Sequence, residues 1–237
     1  MSTLFQELDY RSTPIGELSL RARLDPRSKE RLYEIKLGDE YLMSSLFTDS
    51  EEALGHLGIA EHSGNGLQVV VGGLGLGYTA RAVLESPRVK SLIVIEALDA
   101  VIDWHREGLL PLGETLTSDP RCRFVQGNFF EMAASREGFD PQQPRRHFDA
   151  VLVDIDHSPD QHLAPGNAAF YQPEGLRRLA EHLGPGGIFG LWSNDPADPA
   201  FVQRLQQVFS TARGEDITFH NPLQNRDFTQ SVYLGKK

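Results

Sequence analysis

The sequence predicts an α/β fold in which a doubly wound, mostly parallel sheet follows a small N-terminal β module. Two observations lead to this prediction. From Leu67 onward, short apolar runs alternate with segments that have helical spacing. The runs are almost continuous in apolar residues, as is typical of strands that are buried on both faces of a parallel sheet. A chain of 237 residues is long enough for one such domain with an appendage.

The N-terminal β module is assigned to residues 1–46, which we expect to contain a β-hairpin. Alternating apolar residues run from Pro14 to Leu24, and two further strand-like runs flank Gly38-Asp39-Glu40. Glycine and aspartate between two such runs are a hairpin turn signal.

A linking helix is predicted over residues 47–66. Thr48 followed three residues later by Glu51 is the pattern of a capping box, and Gly58 is a typical helix stop. Residues 67–237 are then assigned to the main, cofactor-binding catalytic domain.

The main domain is predicted to alternate strands and helices. Apolar residues at helical spacing mark its helices, and one of them begins at Pro173 and ends before Gly184. Short connections between alternating elements favour a parallel sheet with helices on both faces. The predicted strands are 67–71, 91–96, 122–126, 148–154 and 187–192, with 216–220 and 230–235 in the tail; the predicted helices are 98–109, 173–183 and 198–209.

Composition limits the classes of function. The formal net charge is −10 and the chain has no basic stripe, so a general nucleic-acid partner is not expected. No apolar run approaches the length of a membrane span and no secretory signal is visible, so we expect a cytoplasmic protein without a membrane partner. The single cysteine, Cys122, excludes an internal disulfide and a cysteine-based zinc site.

A glycine turn follows the first strand of the main domain, at Gly73, Gly75 and Gly77. Glycines at such a turn let the backbone approach a ligand without a Cβ in the way. The dinucleotide fingerprint G-x-G-x-x-G needs a glycine where this chain has Tyr78, and the P-loop motif is absent. The spacing G-x-G-x-G favours an adenosyl-sulfonium cofactor over a pyrophosphate.

The next two strand ends complete the predicted cofactor site. The second strand ends at Glu96, whose carboxylate is predicted to accept hydrogen bonds from both hydroxyls of a ribose. Asn128 follows the third strand, where it would read the adenine edge, and Phe129 or Phe130 would pack on the base. The alternative interpretation is a surface acid, a polar loop residue and two core aromatics.

The candidate catalytic residues follow the fourth strand. They are Asp154, Asp156 and His157. A carboxylate at this strand end could accept a proton from an attacking amine or hydroxyl, hold a cationic substrate, or ligate a hard metal. Asn194 and Asp195 after the fifth strand are candidates for the same cleft, although an Asn-Asp-Pro turn before the next helix explains them equally well.

Residues 67–192 resemble the spermidine synthases and their relatives among the class I S-adenosylmethionine-dependent transferases. The resemblance lies in four segments: "VVVGGLGLGYTARAVLESPRVKSLIVIEAL", "DPRCRFVQGNFFE", "FDAVLVDIDHSP" and "FYQPEGLRRLAEHLGPGGIFGLW". It implies a class I methyltransferase-like Rossmann fold with a seven-stranded sheet whose last strand is reversed. It also implies a small β module before the catalytic domain and, because members are often dimers, a homodimer.

The resemblance assigns roles in the cofactor half of the site. The family's glycine turn, written GGGDG, falls on residues 73–77, and its aspartate falls on Leu76. That aspartate helps to hold the amino-acid or aminopropyl end of the cofactor. The ribose-binding acid falls on Glu96 and the adenine-side aspartate falls on Asn128.

In the acceptor half, the family's catalytic aspartate falls on Asp154. A second aspartate, three residues on, falls on His157, next to Asp156. The resemblance therefore implies that Asp154 binds or deprotonates a small amine, with Asp156 or His157 assisting.

The implied activity is a spermidine synthase-like transferase. It would use S-adenosylmethionine or its decarboxylated form, act on a small amine such as a polyamine precursor, and need no metal. Because Leu76 replaces an aspartate, an S-adenosylmethionine-dependent methyltransferase is one alternative, including a metal-dependent O-methyltransferase that would use Asn194 and Asp195. A non-catalytic cofactor-binding relative is the second alternative.

Overall fold

The computed structural model describes residues 4–26, 28–221 and 224–237, and these residues form two sheets. Residues 1–3 and 27 of the predicted N-terminal module lie outside the described residues. The first sheet is antiparallel, with the order β1-β2-β3-β4. Its strands are β1 (Phe5–Thr13), β2 (Gly16–Leu24), β3 (Arg31–Leu37) and β4 (Glu40–Ser44).

The hairpin between β3 and β4 turns where the sequence predicts it. Leu37 pairs with Glu40, which leaves Gly38 and Asp39 as the turn. Gly38 has a φ of 56°, a left-handed conformation that glycine adopts at little cost.

Helix α1 (Asp49–Glu61) joins the two sheets. It begins after Thr48 as predicted, but the capping box is wrong, because the Thr48 hydroxyl donates to Oε1 of Glu52 at 2.8 Å instead of capping the backbone. The predicted stop at Gly58 is also wrong. Gly58 lies inside the helix, and a Cβ there would come within 2.5 Å of the Leu152 side chain on the second sheet. This glycine therefore permits close packing of the helix on the sheet.

The second sheet has seven strands in the order β10-β11-β9-β8-β5-β6-β7. Strands β5 to β9 pair in parallel, whereas β11 pairs antiparallel with both β9 and β10. This confirms the predicted doubly wound, mostly parallel fold with a reversed strand. The strands are β5 (Leu67–Gly72), β6 (Val89–Glu96), β7 (Cys122–Gln126), β8 (Phe148–Val153), β9 (Leu183–Ser193), β10 (Thr211–Asn221) and β11 (Arg226–Lys236).

The three predicted helices of the main domain are present, and each ends two or three residues before the pattern does. The apolar pattern can extend past the end of a helix because the next element is also buried. Leu183, for example, follows the predicted helix pattern but is the first residue of β9 and is fully buried. In the described residues, no helix is long and apolar enough to cross a membrane. The helices are α2 (Tyr78–Glu85), α3 (Asp99–Arg106), α4 (Gly113–Ser118), α5 (Phe129–Ala134), α6 (Pro173–Glu181) and α7 (Pro199–Gln206).

Alternate residues of the parallel strands point into two cores. Val69 and Val71 of β5 belong to the core under α1, α2 and α3, and Val70 belongs to the core under α5, α6 and α7. The N-terminal sheet packs on the first of these cores, and Nε1 of Trp104 on α3 donates to Oδ2 of Asp9 on β1 at 2.7 Å. This packing holds the N-terminal sheet beside the ends of β5 and β6.

Candidate active site

Two adjoining cavities lie where β5, β6 and β8 end. The larger cavity is about 180 Å³ and the smaller cavity is about 80 Å³. Both border Gly75, Asp154 and Met43 of the N-terminal sheet. Ligands of doubly wound sheets bind at this edge of the sheet, so both cavities are candidates for the functional site.

Three glycines shape the turn between β5 and α2. Gly73, Gly75 and Gly77 have φ values of 93°, 47° and 94°, which side chains disfavour. A Cβ on Gly73 would collide with the backbone oxygen of Asp154, and one on Gly75 would lie 2.6 Å from the sulfur of Met43. The turn therefore exposes backbone to the cavities, as the predicted cofactor site requires.

His105 on α3 supports this turn from the core side. Its Nε2 donates to the carbonyl oxygen of Gly75 at 2.9 Å. The ring is 1% exposed, its Nδ1 has no hydrogen-bond partner, and burial lowers the pKa of His105 to about 4. The imidazole is therefore neutral at physiological pH, with its proton on Nε2. In the sequence His105 is indistinguishable from an ordinary helix position that faces the core.

Glu96, at the end of β6, borders the larger cavity. Its Oε2 accepts a hydrogen bond from the N–H of Leu74 in the glycine turn, and its Oε1 accepts one from the N–H of Leu98, each at 2.9 Å. Burial raises the pKa of Glu96, and these backbone donors oppose the rise. Each oxygen keeps a further lone pair, so the carboxylate fits the predicted hydrogen bonds to two ribose hydroxyls.

The residues after β7 match their predicted roles in adenine binding only in part. Asn128 borders the larger cavity, but its Oδ1 caps α5 by accepting from the N–H of Phe130 at 2.9 Å. Phe129 also reaches the cavity wall, yet it is 2% exposed and its ring stacks on Phe139 with centroids 5.0 Å apart. Phe129 is therefore a core residue, and the half-buried Phe130 is the aromatic side chain available to a base.

Asp154, directly after β8, lies at the junction of the two cavities. Its Oδ2 accepts a hydrogen bond from Oγ1 of Thr79 at 2.7 Å. Burial raises the pKa of Asp154 to about 6, against the effect of the Thr79 hydroxyl. Such a carboxylate is ionised at neutral pH and is more basic than an exposed aspartate, which suits a group that accepts a proton.

Glu51 on α1 shares the smaller cavity with Asp154, although the sequence suggested only a helix-capping role for it. Its Oε2 lies 2.8 Å from Oγ of Ser50. Burial, with a contribution from the charge of Asp154, raises the pKa of Glu51 to about 8. Two buried carboxylates facing one small cavity repel each other, which favours a proton on one of them and disfavours the doubly charged state. Only tertiary packing brings these two acids together.

Asp156 does not fit the predicted catalytic role, because it borders neither cavity. It is 1% exposed, and its two oxygens accept hydrogen bonds from the N–H of Leu163, the amide of Asn167 and the hydroxyl of Tyr171. These bonds lie between 2.7 and 3.0 Å. The carboxylate therefore fixes the loop that follows β8 instead of facing a ligand.

His157 does border the smaller cavity. Its Nε2 lies 2.9 Å from Oε1 of Glu40, which ties the loop after β8 to the N-terminal hairpin. Asn194 and Asp195 are exposed and border neither cavity, and Oδ1 of Asn194 accepts from Nε2 of Gln230 at 3.0 Å. In the part of the chain that the structure describes, no three His, Cys, Asp or Glu side chains gather as a metal-binding group.

This fold and this site define the class of the protein: it has the fold of the class I S-adenosylmethionine-dependent transferases. The comparison with family models then identifies the family. The spermine/spermidine synthase domain matches residues 48–212, and the chain belongs to this family. The resemblance found in residues 67–192 of the sequence is thereby confirmed.

Curated relatives of the chain include two plant enzymes. Over 152 residues it is 27% identical to putrescine N-methyltransferase 2 of Nicotiana tabacum and to putrescine N-methyltransferase 2 of Nicotiana attenuata. The matched region is 61% of this chain and 39% and 37% of the two relatives. The chain thus spans about two fifths of the length of the curated relatives it matches.

Solved structures show the same fold over nearly the whole chain. A spermidine synthase in complex with the transition state analogue AdoDATO matches with a TM-score of 0.75 and 19% identity, over 98% of this chain and 74% of that one. Spermidine synthase from Thermotoga maritima matches with a TM-score of 0.73 and 19% identity, over 98% of this chain and 73% of that one.

Proposed function

We propose that the chain is a transferase that moves a methyl or aminopropyl group from an adenosyl-sulfonium donor to the nitrogen of a small amine. One observation carries this proposal: the glycine turn and Glu96 border the larger cavity, and Asp154 lies where that cavity meets the smaller one. Membership of the spermine/spermidine synthase family supports it, as do relatives named for the methylation of putrescine.

The larger cavity fits the nucleoside part of such a donor. Gly73 and Gly75 line this cavity with backbone, Glu96 offers acceptors to two hydroxyls, and Phe130 offers a ring to the base. When bound, the donor supplies an electrophilic carbon next to a positively charged sulfur.

Asp154 is proposed to bind the acceptor and to take its proton. An aliphatic amine is protonated at neutral pH and has no free lone pair until it loses that proton. The raised pKa of Asp154 makes its carboxylate a better proton acceptor than an exposed one. The neutral nitrogen then attacks the electrophilic carbon, and the carbon–sulfur bond breaks with both electrons going to sulfur. Alignment in a closed cavity supplies much of the remaining rate enhancement.

Methyl transfer from S-adenosylmethionine is the first candidate reaction. Leu76 borders the smaller cavity where the family has an aspartate, so the ammonium group of an aminopropyl donor loses that partner, whereas S-adenosylmethionine keeps its own carboxylate beside its ammonium group. Burying an ammonium group against apolar side chains is costly. Aminopropyl transfer from decarboxylated S-adenosylmethionine is the second candidate, and the family match favours it.

Calorimetric titration of S-adenosylmethionine, its decarboxylated form and methylthioadenosine tests the proposal. We expect S-adenosylmethionine to bind about tenfold tighter than the decarboxylated form, a difference of about 1.4 kcal/mol. The reverse preference would support aminopropyl transfer. Binding of none of the three would contradict both reactions and favour the non-catalytic alternative. Donor consumption with amine acceptors, followed by mass spectrometry of the product, then shows which group moves.

The cytoplasmic location and the homodimer stay predictions. Sedimentation of the purified chain tests the dimer, for which the expected mass is twice the 26.4 kDa of the monomer.

A further inference from the structure

The two carboxylate oxygens of Asp154 have different surroundings. Oδ2 accepts a hydrogen bond from the hydroxyl of Thr79 at 2.7 Å. Among the residues that the structure describes, none donates to Oδ1. Because Asp154 borders both cavities and keeps part of its surface accessible, Oδ1 is the oxygen that is open to a ligand.

Thr79 is held in place by the packing of two helices. It is the second residue of α2, two residues after the last glycine of the turn, and it is 3% exposed. Helix α1 can pack closely on α2 here because Gly55 has no Cβ. A Cβ on Gly55 would lie 2.9 Å from the backbone oxygen of Thr79 and 2.6 Å from the Cβ of Ala82. The Thr79 hydroxyl is thus fixed in the narrow space between α1 and the end of β8.

The Thr79 hydroxyl has two acceptors within reach. Besides Oδ2 of Asp154 at 2.7 Å, it lies 3.2 Å from the backbone oxygen of Glu51 on α1. A hydroxyl has one proton, and a short bond to a charged acceptor is stronger than a longer bond to a neutral one. The proton therefore points to Asp154 while that carboxylate is ionised, and the carbonyl of Glu51 is the weaker, secondary acceptor.

We propose that Thr79 is a positioning residue for proton transfer, because it holds Oδ2 of Asp154 and leaves Oδ1 to take the proton of the acceptor. This inference rests on the proposed function, since it names the atom that takes the proton and the residue that supports it. The N–H bond of the protonated amine breaks with its electron pair remaining on nitrogen, and an O–H bond forms at Oδ1. The freed electron pair then attacks the carbon of the donor.

The bond from Thr79 has two effects on this step. It restricts rotation of the carboxylate, so that Oδ1 stays turned to the cavities. It is also stronger to the carboxylate than to the neutral carboxyl group, so it opposes the effect of burial, which raises the pKa of Asp154. Both effects favour an ionised, correctly oriented proton acceptor at neutral pH.

Other titratable groups face Asp154 from the elements around it. They are Glu51 on α1, Tyr78 on α2, Glu96 at the end of β6 and His157 on the loop after β8. The negative charge of Asp154 contributes to the raised pKa of Glu51, so the two acids titrate together. Glu51→Gln removes this second titration and keeps the shape of the side chain.

Titration of the Asp154 carboxyl group tests the role of Thr79 without relying on turnover. The full chain, labelled at the aspartate carboxyl carbons in a Glu51→Gln background, is followed by nuclear magnetic resonance, and the signal is assigned by its loss in Asp154→Asn. Thr79→Val, which keeps the shape of threonine without its hydroxyl, should raise the pKa of Asp154 by about one pH unit, a change of about tenfold in proton affinity. Thr79→Ala, a second variant without the hydroxyl, should show the same rise, and Thr79→Ser should keep the pKa of the parent.

The rate of group transfer is the second readout. In Thr79→Val the rate at saturating substrate should fall by about tenfold at about pH 7, and its rise with pH should move to higher pH. The affinity for S-adenosylhomocysteine should not change, and Thr79→Ser should transfer at nearly the wild-type rate. Thr117→Val is the matched control, because the hydroxyl of Thr117 on α4 donates to the backbone oxygen of Gly113 at 2.8 Å and Thr117 borders neither cavity.

Two results would overturn the role of Thr79. One is a Thr79→Val chain in which Asp154 titrates with the pKa of the parent, and the other is a Thr79→Ser chain that behaves like Thr79→Val. Absence of group transfer by the wild type would contradict the proposed function instead, and the carboxyl titration would still decide whether Thr79 supports Asp154.

Discussion

The two cavities are built in different ways although they meet at Asp154. Two parts of the larger cavity come from short segments of the chain: Gly73 and Gly75, which have positive φ values, and Glu96, whose oxygens accept from the N–H groups of Leu74 and Leu98. The smaller one is made of side chains that come from five separate segments, including Met43 on β4, Glu51 on α1 and Trp192 on β9. A turn formed by neighbouring residues can be recognised as a motif in the sequence. Side chains that come together only in the folded chain leave no such motif.

Removing the carboxylate at the junction should produce the largest effect. Asp154→Asn is expected to lower the rate of group transfer by about 10²–10⁴-fold, because the amide cannot take the proton of the amine. Donor affinity should change little, since Glu96 and the glycine turn are untouched. Steady-state kinetics and calorimetry measure the two quantities.

Asp160→Asn is the control for this variant, because Asp160 lies on the same loop but is exposed and pairs with Arg204 at 3.2 Å. An Asp154→Asn variant that transfers at the rate of the control would show that the acid is structural.

The second largest effect is expected for Glu96, which borders the larger cavity. Glu96→Ala should weaken donor binding by about 1–3 kcal/mol, through the loss of hydrogen bonds to the ribose and of the bonds that hold the glycine turn. Calorimetric titration of S-adenosylmethionine measures this, with Glu107→Ala, an exposed acid at the end of α3, as the control. Unchanged donor affinity would mean that Glu96 does not contact the ribose.

The same contrast explains which parts of the site the sequence could predict. Strand β7 was predicted over its full length, and the spacing of Gly73, Gly75 and Gly77 located the turn, because both depend on neighbours in the chain. Asp156 was misassigned, since proximity in sequence to Asp154 does not show that its side chain turns back to Asn167 and Tyr171.

Gly58 shows the same limit in the fold. Glycine is a helix stop in isolation, but here the helix continues because Leu152 of β8 needs the space that a side chain would take. The place of Glu51 in the site likewise depends on tertiary structure, because Asp154 and Trp192, which line the same cavity, lie about 100 residues or more away in the chain.

Stability as a function of pH should separate Glu51 from ordinary surface acids. Its pKa in the folded chain is raised above the unfolded value of 4.5, so the folded state binds more protons than the unfolded state between about pH 4.5 and pH 8. The free energy of unfolding therefore falls as the pH rises through this window. Glu51→Gln removes that term and should gain about 1–3 kcal/mol on the wild type between about pH 5 and about pH 9.

Urea denaturation at a series of pH values measures this difference. Glu52→Gln supplies the comparison, because Glu52 does not border the smaller cavity. Parallel curves for wild type and Glu51→Gln would show that Glu51 ionises normally in the folded chain.

The smallest expected effect tests whether the glycine turn needs its support from the core. His105→Leu removes the bond from Nε2 to the carbonyl of Gly75, while His105→Gln can place an amide N–H at the same position. Donor affinity should fall by about 0.5–1.5 kcal/mol in the leucine variant and recover most of that loss in the glutamine variant. Because burial lowers the pKa of His105 to about 4, the difference between the wild type and the leucine variant should be the same from about pH 6 to pH 8. Equal donor affinity in the two variants would show that the turn holds its shape through the φ values of its glycines alone.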